Sequence, residues 1–80
     1  MNSQNINEIY AVIEVSKGKE VEVMEFLGMP LASSSKDDID ILKKRANINI
    51  NILRKNGSEI GGVLVKFTNR EVISVFGGEI

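Results

Sequence analysis

The side chains that carry most protein chemistry are scarce in this chain. Its 80 residues include neither cysteine nor histidine. A serine nucleophile would lack its usual imidazole base, and a Cys/His zinc site is excluded. Three clusters remain. Ser33-Ser34-Ser35 reads as a connection ending in a helix N-cap at Ser35. Asp37, Asp38 and Asp40 could in principle hold a hard cation such as Mg²⁺. They also sit where a helix start favours acids, and that structural role is the one expected of them. Lys43-Lys44-Arg45 could contact phosphates, or complement a helix C-terminus. The glycine pairs 61–62 and 77–78 open no helix and precede no Gly-Lys-Ser/Thr, so neither is a phosphate loop. No catalytic residue, cofactor or metal is expected, and binding is the remaining class of activity.

These clusters need a scaffold, and 80 residues provide one small domain. A domain of this size buries only about 60–65% of its unfolded surface. Without disulfides, self-association is the expected source of extra stability. Residues 1–7 are polar and Asn-rich and read as a flexible tail, with residues 8–80 forming the domain. No basic start with an apolar run, and no apolar stretch of membrane-spanning length, is present, so a cytoplasmic protein without membrane contact is expected. The net charge of −1 conceals an asymmetry. Residues 1–40 carry three cations against eight anions, net −5, and residues 41–80 carry seven against three, net +4.

Periodicity predicts a hairpin from Ile9–Val15 and Glu20–Leu27, turning at Ser16-Lys17-Gly18-Lys19 and bulged near Met24-Glu25. Gly28 and Pro30 end the second strand. Asp37–Ala46 reads as a short helix. Asn47, Asn49 and Asn51 then alternate with Ile48, Ile50 and Ile52, which predicts a strand with an amide-rich face open to bases or a partner strand. Asn56-Gly57 reads as a hairpin turn. Strands at Ile60–Phe67 and Glu71–Phe76 flank a turn at Thr68-Asn69-Arg70. The expected fold is mainly β with one short helix, in the order β-β-α-β-β-β, as a small, strongly bent five-stranded barrel.

Residues 37–76 resemble the Sm-like family, and its Hfq-like branch in particular. The resemblance rests on an acid-started short helix with basic residues at its end, an alternating strand and Asn56-Gly57. It continues through Ile60-x-Gly62-x-Leu64-x-x-Phe67, a short turn and a further apolar strand. The resemblance implies an Sm-like (SH3-like) barrel that assembles into rings and binds single-stranded RNA without catalysis. By the same resemblance Thr68, Asn69 and Arg70 would line the RNA site, with Asn69 on a base and Arg70 stacking in place of an aromatic residue. Lys44 and Arg45 would form a basic rim. Thr68 stands where the family has an aspartate, and the family's second motif does not follow the last strand. A permuted barrel, with Ile9–Val15 beside Glu71–Phe76, would reconcile the extra N-terminal hairpin.

A second resemblance implies a different class. The strand order, with Gly28–Ser34, resembles the profilin-like and roadblock-like α+β modules. That implies a dimerising platform for other proteins. A small viral or plasmid-encoded inhibitor docking on a host protein is a third expectation of the same binding class.

Overall fold

The computed structural model describes residues 8–68 and 70–77. The expected tail, 1–7, and Asn69 lie outside them. As expected, the chain is mainly β with one helix. The strands are β1 (Tyr10–Ser16), β2 (Lys19–Val23), β3 (Glu25–Phe26), β4 (Met29–Pro30), β5 (Ala32–Ser33), β6 (Ile60–Lys66) and β7 (Glu71–Phe76), with α1 (Ile39–Lys55) between β5 and β6. The main sheet is antiparallel, in the order β2-β1-β6-β7, with β5 pairing the start of β1. β1 is apolar on both faces, as a central strand must be. It turns into β2 through Lys17 and Gly18, both at positive φ, as in a primed hairpin turn. The bulge falls at Val21, where the register slips between Glu14 and Val15, rather than at Met24-Glu25. β1 pairs with β6 along its whole length, so Ile9–Val15 does not lie beside β7 as the permuted barrel required.

The largest departure is at Asn47–Leu53, which is helix and not strand. Its Asn-Ile alternation satisfies two periods at once. Leu42, Ala46 and Ile50 recur at four-residue spacing, so they form one buried stripe when the chain stays helical. Tertiary burial of that stripe outweighs the β tendency of the isoleucines. Asn56-Gly57 then stops the helix instead of turning a hairpin. Gly57 takes φ 95° and donates to the Arg54 carbonyl at 3.0 Å, while Ser58 N–H donates to the Leu53 carbonyl at 2.9 Å. This is a Schellman ending, where a side chain at the left-handed residue would be strained. At the other end Ser35 acts as expected. Its Oγ accepts from Asp37 N–H at 3.2 Å and caps a 3-10 turn, Lys36–Asp38, that leads into α1.

α1 lies across one face of the sheet. Leu42, Ala46 and Ile50 pack there with Tyr10, Val12, Leu64 and Phe76, and Met24 and Leu31 complete the core. Gly62 permits the approach. A Cβ on it would stand 3.2 Å from Val12 Cγ1 and 3.4 Å from Ile50 Cδ1.

The opposite face carries a second apolar cluster of Ala11, Ile13 and Val65, flanked by Val23 and Val63. Arg70 bonds Glu20 at 2.7 Å, joining the β6–β7 turn to β2. Register places Glu20 opposite Val15, whereas Arg70 precedes Glu71, which aligns through Lys66 with Tyr10. In a flat sheet those corners would be about 20 Å apart, at ~3.3 Å per residue and ~4.8 Å per strand. The ion pair therefore closes a strongly bent sheet across its diagonal.

Candidate interaction surface

The β3–β4 hairpin leaves the sheet edge at Met24 and returns at Leu31. Met24 N–H donates to the Val12 carbonyl, Leu31 N–H to the Met24 carbonyl and Val12 N–H to the Leu31 carbonyl, all at 2.8–2.9 Å. The hairpin thus projects from a fixed base. Asn49 Nδ2 ties it to the helix by donating to the Glu25 carbonyl at 3.1 Å. Between hairpin and helix runs a groove of about 450 Å³. Phe26, Leu31 and Leu42 form its apolar floor, and Leu27, Met29 and Ile41 its lips. Asp38 and Arg45 also line it, about one helical turn to either side of Ile41. Asp38 is already engaged, since its Oδ2 accepts from Ser33 Oγ at 2.6 Å. The side chain of Arg45 makes no hydrogen bond or ion pair among the described residues and remains available to a ligand.

Leu27 is the least expected residue here. It sits at φ 55°, in the left-handed region, and is 87% exposed. Met29 is exposed beside it. The helix adds Ile41, Ile48 and Ile52, each 41–50% exposed. Half of the ten exposed large apolar side chains among the described residues therefore share the hairpin and one flank of α1.

The residues expected to bind RNA divide between two places. Lys44 and Arg45 lie exposed on α1, on one side of the sheet. Thr68 and Arg70 lie in the β6–β7 turn, and Arg70 reaches over the other side. There it is paired with Glu20 and stands 5.9 Å over the Phe67 ring. Asn69 lies outside the described residues. Of the amide-rich face, Asn49 is tethered to the hairpin, while Asn47 and Asn51 are exposed on the helix.

Two ionisable clusters lie away from the groove. The Tyr10 hydroxyl donates to Glu8 at 2.9 Å, and Lys66 Nζ stands 3.2 Å from the same carboxylate. The Tyr10 hydrogen bond, then Lys66, hold Glu8 below the usual carboxylate range. Glu14 moves the other way, pushed up by burial and then by Glu22, its cross-strand neighbour.

Sequence reasoning missed Leu27, Met29, Ile48 and Ile52 as site residues. Exposure of the hairpin is a tertiary fact, and the two isoleucines were hidden by the strand reading. No helix among the described residues is long and apolar enough to cross a membrane. The chain matches no family model, no curated protein and no solved structure.

Proposed function

We propose that this chain is a non-catalytic protein-interaction module that engages its partner through the α1–hairpin face. Leu27 is the observation that carries the reading. A left-handed conformation costs a side-chain-bearing residue about 1–2 kcal/mol. Leaving a leucine in water forgoes about 1.5–3 kcal/mol of burial. Glycine at this turn would avoid both costs. An apolar side chain held out at the lip of an apolar groove is instead what an interface anchor needs. Arg45, one turn from Ile41 on the groove wall, adds a preference for a carboxylate next to the inserted apolar residue.

Peptide display panned against the full chain tests this. Selected peptides should carry an apolar anchor beside an acidic residue. Their affinity should fall about tenfold or more in Leu27→Gly, equivalent to at least about 1.4 kcal/mol. Undiminished affinity in that variant would remove the reading. Sm-like RNA binding is the competing proposal. U-rich or A-rich single-stranded RNA that binds with steep salt dependence, and is released by Lys44→Ala with Arg45→Ala, would replace the protein module with an RNA binder.

A further inference from the structure

We infer that the partner on the α1–hairpin face is a second copy of this chain, docked helix to helix in antiparallel fashion. The inference rests on that face being the contact surface, and it adds the identity and register of the occupant.

The exposed flank of α1 carries Ile41, Arg45, Ile48 and Ile52. Their spacing of four, three and four residues places them in a strip about 60° wide, at 3.6 residues per turn. This is the seam spacing of paired helices, where alternating steps of three and four keep one line of side chains facing a partner. Extending the pattern one step each way reaches Asp38 at the start of α1 and Lys55 at its end. The seam is self-complementary about a point between Ala46 and Asn47. In an antiparallel pair with that centre, Ile41 meets Ile52 of the second copy. Arg45 lies against Ile48, and Asp38 faces Lys55. Two-fold symmetry makes each contact twice.

Charge complementarity selects this orientation. The helix begins with Asp37, Asp38 and Asp40 and ends with Lys55, beside Arg54, whose guanidinium is turned to the Ile60 and Gly77 carbonyls. Antiparallel docking sets each acidic end against a basic one and opposes the two helix dipoles. A parallel pair would place like charges together. The hairpin extends the same surface, because Leu27 and Met29 flank Ile41, whose position the far end of the second helix would approach. One side of α1 is already committed to the core through Leu42, Ala46 and Ile50, so the flank can accept only one further element.

Substitution at Ile48 reads the register directly. It is exposed, and both arginine and glutamate are good helix formers. Ile48→Arg would bring four guanidiniums together at the centre of the dimer, two from Arg45 and two introduced. Ile48→Glu would instead set a carboxylate against each Arg45. Sedimentation equilibrium on the full chain, with circular dichroism to verify folding, should show a dimer for the parent chain and for Ile48→Glu. Ile48→Arg should dissociate, with its dimer constant weakened at least tenfold. If both variants remain dimeric, the interface lies elsewhere and the inference fails. If both dissociate, the antiparallel register fails. A parent chain that is monomeric at about 0.1 mM, the scale of a weak complex, overturns the dimer. Such a monomer that still takes the selected peptides keeps the module reading, and one that takes none loses both.

Discussion

Two apolar surfaces lie outside the main core, and they are treated differently. On the side of the sheet away from α1, Ala11, Ile13 and Val65 are buried with no helix among the described residues over them, and Arg70 fastens the corner of the bent sheet to Glu20. On the far side of α1, Leu27, Met29, Ile41, Ile48 and Ile52 stay open, although a hairpin stands beside them. The first surface is closed by the chain's own shape. The second is left open, with Leu27 held out at positive φ by the Leu27-Gly28 turn. Apolar character alone therefore does not mark an interface.

The contrast can be broken most forcefully in the two buried layers. Leu64→Ala, beneath α1, should cost about 2–5 kcal/mol in chemical denaturation. Val65→Ala points into the coiled face from the same strand. If coiling truly encloses that face, it should cost more than about 1 kcal/mol, well above the ±0.5 kcal/mol of a surface change. A loss within surface range would mean that the face is open.

Leu27→Gly should act in the reverse direction. Relief of the left-handed strain should stabilise the fold by up to about 1–2 kcal/mol, offset in part by glycine's greater freedom in the unfolded chain. Thermal melts should show a higher midpoint at the same time as partner binding is lost. A lower midpoint would make Leu27 a structural residue and weaken its role as an anchor.

Smaller effects are expected at the corner and in the sheet. Glu20→Gln should cost about 0.2–1 kcal/mol at low salt and little at high salt, since the pair is exposed. It should also raise binding of an apolar dye to the coiled face. Glu14→Gln should be more stable than the parent near pH 7 by about 0.2–1 kcal/mol, the scale of a like-charge cross-strand pair. The Glu14 pKa is raised by folding. Its ionised form therefore weakens the fold, and the penalty grows as pH rises through that raised value. Below about pH 4, where glutamate is protonated in both states, the two proteins should converge. Glu8 has the opposite dependence, contributing stability that is lost on acidification, so the difference between the two melts is the informative quantity.

Much of the scaffold was readable where local pattern and tertiary burial agree. Lys17-Gly18 had one natural conformation, and β6 and β7 fell within a residue of their expected limits. Ser35 capped as its side chain dictates. The helix end was misread because Ile48, Ile50 and Ile52 suit either period, and only the position of Ile50 against Gly62 and Val12 decides between them. A strand at 47–53 requires a hairpin turn at Asn56-Gly57, so the one ambiguity of period accounts for both differences. Of the candidate surface, residue type marks Ser33, Asp38 and Arg45 but not the apolar lips. Leu27 and Met29 differ from buried residues of the same type by location alone, and the strained turn that exposes them is not written in residue type.

The central position of β1 also governs the order in which the fold can be made. β1 is paired along its whole length with β6, about fifty residues later in the chain. Until Lys66 has emerged, the β1–β2 hairpin has an open edge and α1 has only part of a sheet to rest on. Long-range pairing of this kind folds slowly, because a large loop must close before any contact rewards it. The central sheet is therefore completed late, and a chain interrupted before β6 keeps only the part of the core that β1, Met24, Leu31 and α1 share, without Leu64 and Phe76.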